Sequence, residues 1–255
     1  MVIYLGDKFG FTISLMAFAV IIYMLVSIFY LYVAVGEHWN LVLSALLDSR
    51  VHGAIFISIS SALLVGFLAI VSSIPVAYLL TYMEIRGKEI LETFLIDIPQ
   101  TFPPVTEGLV YLLMFGRFGL AYTYAAVIIA KFYVSAPFTI SFASRRFREI
   151  KESGMDIIAR SLGAKTSHIL TKILLPLSAR DLIAGFSLTW ARAMGELAAT
   201  LVFAGAIPWV TETLPVLIYL TSSESPQVAI AASVIMETLS IISLLLFKFI
   251  ARRRY

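Results

Sequence analysis

The chain has 255 residues, of which 60% are hydrophobic and only 14% are charged, and its formal net charge is +3. A soluble protein of this size could not cover so much apolar surface with so few charged side chains. The composition therefore excludes a soluble enzyme or binding domain. It predicts an all-α integral membrane protein, since helices satisfy their own backbone hydrogen bonds in lipid.

Six membrane spans are predicted, each near or above the roughly 20 apolar residues that a crossing needs. The first is expected to be a retained helix, because no basic flank or cleavage site of a secretory signal accompanies it. Three prolines crowd the start of the third, so regular helix is expected there only from about Val105. The predicted spans are residues 9–35, 53–82, 98–116, 118–142, 182–206 and 227–250.

Two further stretches are apolar but shorter. Residues 36–52 form a connection with a short amphipathic stretch, and residues 209–220 are too short to cross, which indicates an interfacial or re-entrant piece. Arg252, Arg253 and Arg254 are interpreted as a stop at the lipid headgroups. Because the sequence ends soon afterwards, no appended regulatory domain is expected.

Lysine and arginine residues concentrate in the loops on one side of the predicted spans. If loops alternate sides, fifteen of them share the side that holds both termini, and only Arg50 and Arg117 lie on the other. Since positive residues concentrate in cytoplasmic loops, the prediction is a multi-pass protein of the cell membrane with both termini cytoplasmic. The positive net charge is explained by this topology, and no nucleic-acid partner is implied.

Motifs of catalysis and nucleotide binding are missing from the sequence. It contains no phosphate-binding loop of the P-loop type, no cysteine, and only three scattered histidines, His38, His52 and His168. No catalytic residue, cofactor or metal site is therefore predicted. If the function requires ATP hydrolysis, a partner chain must supply it.

The connection between the fourth and fifth spans, at about residues 144–181, is the longest. It carries about half of the lysine and arginine residues on the side that holds both termini. Met155, Ile158, Ala159 and Leu162 recur at helical spacing, which predicts a short amphipathic helix that stops at Gly163. A second helix is expected to begin near Thr166 or Ser167 with a hydroxyl cap, and Pro176 to end it or mark its join to the next element. The apolar stripe indicates either docking to a partner or contact with the membrane surface or the bundle itself.

These residues resemble the permease subunits of ABC importers, whose signature is Glu-Ala-Ala, three residues, Gly, nine residues, then Ile-x-Leu-Pro. Here Gly163 is followed after nine residues by Ile173, Leu174, Leu175 and Pro176, whereas Glu-Ala-Ala falls on the string Ile-Ile-Ala that ends at Ala159. The resemblance covers about residue 55 to the C-terminus. Residues 1–255 are accordingly expected to form one transmembrane permease domain.

The resemblance implies partners. In that family two permease chains form the path, two separate ATP-binding subunits receive the motif as a coupling helix, and an extracytoplasmic protein recognises the substrate. For this chain it implies a homodimer with those partners. The implied coupling residues are Met155, Ile157, Ile158, Ala159, Leu162, Gly163, Ile173, Leu175 and Pro176.

A second resemblance bears on the substrate. Residues 97–119 are similar to the proline-rich entry of the third span in molybdate, tungstate and sulfate permeases, and residues 190–200 are similar to their Arg-Ala-x-Gly-Glu-Phe-Gly-Ala run. Leu197 and Ala198 replace the Phe and second Gly, and Glu107 stands where a small or apolar residue is usual. The resemblance implies oxyanion import, with molybdate or tungstate ahead of sulfate or thiosulfate.

The fifth span also carries polar residues three or four positions apart, namely Thr189, Arg192, Glu196 and Thr200. On one continuous helix they would share a face, with Arg192 and Glu196 neutralising each other. One interpretation is the lining of a translocation path for a hydrated anion. The other is an intramembrane ion pair that fixes helix packing or the dimer contact.

Other ionisable residues allow alternatives. Lys131 is expected to pair with Glu107 or Glu237 rather than to meet an anion, and Glu212 and Glu224 either contact the binding protein or are solvated. A secondary transporter or channel without an ATPase stays open as a different class of function, although no inverted repeat is evident. A membrane enzyme is disfavoured, because no acid, base or metal set clusters in the sequence.

Overall fold

The computed structural model describes residues 8–36 and 39–252, and every regular element within those two ranges is helical. Four of its helices are long and apolar enough to cross a membrane, in agreement with the first, second, fourth and sixth predicted spans. They are α1 (Lys8–Val35), α3 (Ser49–Tyr82), α7 (Tyr124–Glu152) and α13 (Pro226–Arg252). The chain is therefore an all-α, multi-pass membrane protein.

The core of the bundle is formed by α3, α7 and α10 (Leu175–Met194), which pack extensively against one another. Small residues allow this close approach, since Ala62, Ala130 and Ala193 are fully buried. Gly185 is essential to it. A Cβ atom there would lie 2.8 Å from Cα of Thr139 on α7.

The N-terminal helix α1 lies at the edge of the bundle and is almost wholly exposed in the single chain. It packs on α13, where the hydroxyls of Tyr32 and Thr238 lie 3.0 Å apart. The predicted amphipathic stretch that follows is the short helix α2 (Trp39–Ala45), which also packs on α13. Its buried residues are Val42 and Ala45.

The third predicted span is assembled from short pieces. They are α4 (Lys88–Glu92), a π-helical turn (Thr93–Asp97), α5 (Ile98–Thr101) and α6 (Pro104–Phe115). The backbone is extended at Phe102 and Pro103, because a residue that precedes proline is driven out of the α region. The irregular, proline-rich entry predicted from the sequence is confirmed.

The fourth span begins later than predicted. Residues 116–118 form a 3₁₀ turn, and Gly119 and Tyr122 then take positive φ angles of 72° and 61°. Helix α7 starts only at Tyr124, where the Thr123 hydroxyl caps it by accepting a hydrogen bond from the Ala126 N–H at 3.2 Å. It then runs without a break to Glu152, through the first part of the long connection.

The fifth span was predicted as one helix, and that prediction is wrong. Helix α10 ends at Met194 and α11 (Ala198–Ala204) begins after a break at residues 195–197. The break is stabilised by Glu196, whose carboxylate accepts a hydrogen bond from the Ala199 N–H at 2.9 Å. A buried acceptor thus satisfies a backbone donor that the start of α11 would otherwise leave unpaired.

The short apolar segment near residue 215 is helix α12 (Leu214–Glu224), which at 11 residues is too short to cross a membrane. Leu214 and Leu217 are fully buried and pack with Val51 and Ala54 of α3. This segment is therefore a buried element of the bundle between α3 and α13.

Candidate coupling surface and intramembrane polar cluster

The predicted amphipathic helix of the long connection is α8 (Met155–Ser161). It ends in a Schellman motif, with the Gly163 N–H bonded to the Arg160 carbonyl and the Ala164 N–H bonded to the Ala159 carbonyl, both at 2.9 Å. Gly163 has a φ of +86°, the left-handed conformation that favours glycine. The prediction that Gly163 stops this helix is confirmed.

One face of α8 is an exposed apolar surface, which we call the coupling face and define as Met155, Ile157, Ile158 and Leu162. Their exposed fractions run from 47% to 83%. Ala159, predicted on the same stripe, instead faces the bundle and packs near Phe147 and Ile169. The apolar stripe therefore does not lie against its own bundle, apart from this alanine.

The second half of the motif anchors the connection. Helix α9 (Thr166–Ile169) begins at the predicted position, but Lys165 is its N-cap residue and no side chain caps it. Ile173 and Leu175 pack against the bundle, whereas Pro176 is exposed.

A π-helical turn (Leu170–Leu174) joins α9 directly to α10, and the Leu175 N–H bonds to the Leu170 carbonyl. The wider turn accommodates Pro176, which has no N–H to donate to the carbonyl four residues earlier. Pro176 therefore marks a join between two helical pieces and does not end the helix.

Thr189 lies at the contact between α10 and α7. Its hydroxyl lies 2.8 Å from both the Ser135 carbonyl oxygen and the Thr139 hydroxyl. The side chain is fully buried. It therefore holds two helices together, and Ser135 and Thr139 are partners that spacing within a single helix could not indicate.

Arg192 and Glu196 form the predicted ion pair, at 2.8 Å, with side-chain exposed fractions of 33% and 2%. The four polar residues of the predicted fifth span do not share one helical face, because the helix is interrupted at residues 195–197. Thr200 lies on α11, and its buried hydroxyl has no hydrogen-bond partner within the described residues.

Glu107 lies near this pair. It is buried on α6, which packs against α11. One of its carboxylate oxygens has no hydrogen-bond partner among residues 8–36 and 39–252. Helix α6 approaches α11 so closely that a Cβ atom at Gly108 would lie 2.8 Å from the Ala199 carbonyl oxygen.

Lys131 is fully buried on α7, and its ammonium group donates to the Ser61 hydroxyl of α3 at 2.8 Å. The predicted pairing with Glu107 or Glu237 is wrong, because neither carboxylate is within ion-pair distance in the described part of the chain. Lys131 and Glu107 adjoin Ala130 and Gly108, which pack against Ala199 of α11. We call the polar residues near the break between α10 and α11 the polar cluster, namely Ser61, Glu107, Lys131, Arg192 and Glu196.

At the opposite end of the bundle from α8, Glu212 is neither solvated nor free to contact a partner. It is fully buried and accepts two hydrogen bonds from the Arg50 guanidinium, at 2.9 and 2.6 Å. The neighbouring Trp209 ring covers Gly53, where a Cβ atom would lie 2.9 Å from the ring. Glu224 is exposed, while the predicted stop at residues 252–254 falls at and beyond the end of the described chain.

Residues 73–254 match a family model described as a binding-protein-dependent transport system inner membrane component. The chain belongs to this family of ABC importer permeases. The match includes α8, the π-helical join before α10, and every residue of the polar cluster except Ser61. The chain is accordingly a transport permease subunit.

Individual relatives agree with the family, and a solved structure has a similar fold. The chain is 32% identical over 195 residues to the molybdenum transport system permease protein ModB of Mycobacterium tuberculosis, covering 72% of this chain and 73% of the relative. It is 29% identical to the molybdate/tungstate transport system permease protein WtpB of Thermococcus kodakarensis, with the same coverage. A bacterial ABC transporter for alginate matches the fold at a TM-score of 0.74 and 14% identity, covering 97% of both chains.

Proposed function

We propose that this chain is the transmembrane permease subunit of an ATP-driven importer for an oxyanion, with molybdate or tungstate as the substrate. The observation that carries the proposal is the coupling face, an exposed apolar surface at the Gly163 motif of a chain that holds no nucleotide-binding loop of its own. The names of the relatives, which specify molybdenum, molybdate and tungstate, support the choice of anion.

The coupling face fits a groove on a separate ATP-binding subunit. Four large apolar side chains on two turns of helix would gain on the order of 1–2 kcal/mol each from burial. The end of α7 that leads into α8 carries two ion pairs, Arg146 with Glu149 and Arg148 with Glu92 of α4. We place this end in the cytoplasm and both termini with it, in the cell membrane, on the distribution of lysine and arginine.

Two copies of this single permease domain, two ATP-binding subunits and one extracytoplasmic binding protein complete the proposed importer. The binding protein recognises the anion, and the permease supplies the path. Arg192, one-third exposed beside the break between α10 and α11, is the cationic group of the polar cluster that an anion in the path would meet. Thr189, Glu196 and Thr200 position this region, and alternating access moves the anion inward.

The proposal is tested by transport. The chain is reconstituted in vesicles with its candidate ATP-binding subunits and binding protein, and the uptake of molybdate, tungstate and sulfate is measured with and without ATP. We expect ATP-dependent uptake of molybdate or tungstate, and much slower uptake of sulfate. Uptake that does not depend on ATP would overturn the proposal in favour of a secondary transporter or channel.

A further inference from the structure

A cavity of about 690 Å³ lies between α3, the pieces of the third span and α7, apart from the coupling face and the polar cluster. Among the described residues that line it, none is charged, and the polar side chains are only Ser72, Tyr111 and Tyr133. Water needs several polar partners to occupy a cavity, and a hydrated anion needs charged or polar groups around it. The cavity is therefore suited to an apolar occupant.

Irregular backbone in all three walls explains why the helices leave this space. Pro75 lies inside α3 and Pro137 inside α7, and both line the cavity. A proline within a helix removes a backbone hydrogen bond and distorts the helix. The third wall includes the π-helical turn (Thr93–Asp97), which is wider than an α-helix. These departures from regular α-helix limit how closely the three walls pack.

The cavity opens on the lateral surface of the bundle. Leu68, Val71 and Phe94 line it, and they are 37%, 51% and 60% exposed. Leu68 and Val71 lie in the central part of α3, which is long and apolar enough to cross the membrane. The opening is therefore at the depth of the hydrocarbon. Outside it lie either the acyl chains of lipids or another protein chain.

The dimensions of the cavity favour an acyl chain. The lining residues of α7 run from Ile128 to Ile140, which is about 18 Å along the helix. A partner helix about 10 Å wide would occupy about 1,400 Å³ over that length, about twice the volume of the cavity. A single acyl chain is much narrower and flexible, so it can follow the distorted walls without leaving voids.

Basic residues lie at the end of the cavity that is nearer to α8. Arg148 of α7 forms an ion pair with Glu92, which precedes the lining residue Phe94 by two positions. Lys88 is one turn before Glu92 on α4, and Lys151 is about one turn after Arg148. Because α4 begins and α7 ends at this end of the bundle, the two lysines lie at the same level. Neither forms an ion pair with a carboxylate of residues 8–36 and 39–252.

We propose that the cavity binds an acyl chain of an anionic phospholipid, whose headgroup contacts the basic cluster of Lys88, Arg148 and Lys151. Clustered cations attract anionic headgroups at a membrane surface. The apolar cavity begins about one helical turn deeper, so one lipid molecule reaches both. The lipid thus fills a space that the side chains of the protein leave open. This site is separate from the path of the proposed function and requires only that the chain spans the membrane.

The test measures the phospholipid that the full-length chain retains. The protein is reconstituted in vesicles with equal amounts of dioleoylphosphatidylglycerol and dioleoylphosphatidylcholine and is extracted in a mild detergent. Native mass spectrometry then counts the bound lipids. Ser72→Phe places a ring in the cavity, and its control Ser72→Ala removes the same hydroxyl but leaves the space. Lys88→Glu reverses a charge of the basic cluster, and its control Lys165→Glu reverses an exposed charge at the same end of the bundle.

We expect wild type and Ser72→Ala to retain about one phosphatidylglycerol per chain, at least about tenfold more than phosphatidylcholine. Ser72→Phe should retain at least about fivefold less of either lipid. Lys88→Glu should still bind lipid but lose the preference for phosphatidylglycerol, whereas Lys165→Glu should behave like wild type. Because Lys88 lies at the surface, this pair gives a result even if Ser72→Phe does not fold.

Three outcomes would overturn the inference. The first is that wild type retains no phospholipid, and the second is that it retains the two lipids equally. The third is that Ser72→Phe folds and retains as much lipid as Ser72→Ala. Size-exclusion chromatography is run on the same samples. If Ser72→Phe dissociates a dimer that wild type forms without bound lipid, a second copy of the chain fills the cavity and the inference is wrong.

Discussion

Arg192 and Glu196 are joined by an ion pair of 2.8 Å, although the helix that holds Arg192 ends between them at Met194. The other oxygen of the Glu196 carboxylate accepts the Ala199 N–H at 2.9 Å. The buried Glu196 side chain thus neutralises the Arg192 guanidinium of α10 and accepts a backbone N–H at the start of α11. The geometry of the break depends on it.

We expect Glu196→Ala to lower the initial rate of molybdate uptake about tenfold, since a hydrogen bond to a charged group is worth about 1.5–3 kcal/mol. The amount of assembled permease should change much less. Glu196→Gln, which keeps an acceptor for Ala199 without the charge, should give an intermediate rate. Uptake in vesicles and size-exclusion chromatography in detergent check both points. Disassembly of Glu196→Ala together with normal transport by Glu196→Gln would assign Glu196 to packing alone.

The ion pair between Arg50 and Glu212 gives a prediction about the stability of the fold. Arg50→Ala leaves a fully buried carboxylate without its partner, and we expect a loss of about 2–3 kcal/mol, below the usual cost of breaking a buried pair because Arg50 is partly exposed. Thermal unfolding in detergent should show a lower midpoint. Arg117→Ala, at an exposed arginine on the same predicted side, is the control and should unfold like wild type.

The double variant Arg50→Met with Glu212→Leu tests whether the ion pair itself contributes to stability. Replacing both charges by apolar groups removes the unpaired carboxylate, so this variant should unfold at a higher temperature than Arg50→Ala. A double variant that is less stable than Arg50→Ala would show that the ion pair itself, and not the avoidance of an unpaired charge, stabilises this end of the bundle.

Gly185 permits the close contact of α10 with α7. A Cβ atom there would lie 2.8 Å from Cα of Thr139, so Gly185→Ala must move the helices apart, and we expect a loss of about 1–3 kcal/mol. The control is Gly116→Ala, whose Cβ atom would meet its nearest neighbour, Leu112 Cδ1, at an ordinary 3.8 Å. Equal thermal midpoints for the two variants would contradict the packing described for α7 and α10.

The coupling face should tolerate polar substitution without loss of the permease fold. Ile158 and Leu162 are 61% and 83% exposed, so Ile158→Ser or Leu162→Ser removes apolar area that only a partner buries. We expect the affinity for the ATP-binding subunit to fall about tenfold or more for each. Thr171→Ala, exposed on the same connection, is the control, and quantitative pull-down is the measurement. Unchanged affinity in both serine variants would place the docking surface elsewhere.

The long apolar runs were predictable from sequence because lipid requires uninterrupted hydrophobic helix, and α1, α3 and α13 begin and end within a few residues of the predicted bounds. The stop of α8 was predictable for a local reason, since Gly163 supplies a left-handed residue that few others adopt. Composition and short-range conformational preference thus decide these elements, and tertiary contacts do not alter them.

The features that sequence reasoning missed depend on specific side-chain contacts that hydrophobic periodicity does not indicate. Gly195 alone does not end a membrane helix. At this break the Glu196 carboxylate also accepts a hydrogen bond from the Ala199 N–H. Lys131 contacts Ser61, which is 70 residues away, and spacing along one helix could not indicate that contact. Periodicity placed Ala159 on the exposed stripe, but its small side chain fits against the bundle.

The proposed function requires the Gly163 region to dock an ATP-binding subunit. A Cβ atom at Gly163 meets no atom within 4 Å and the φ is +86°, so Gly163→Asp projects a charge outward from the end of α8 at a modest cost in backbone strain. The measurement is co-purification of the candidate ATP-binding subunit with wild type and with Gly163→Asp in detergent. We predict retention by wild type and loss from the variant, with equal insertion of both permeases. Equal retention by both proteins, or no retention by wild type, would contradict docking at the Gly163 region.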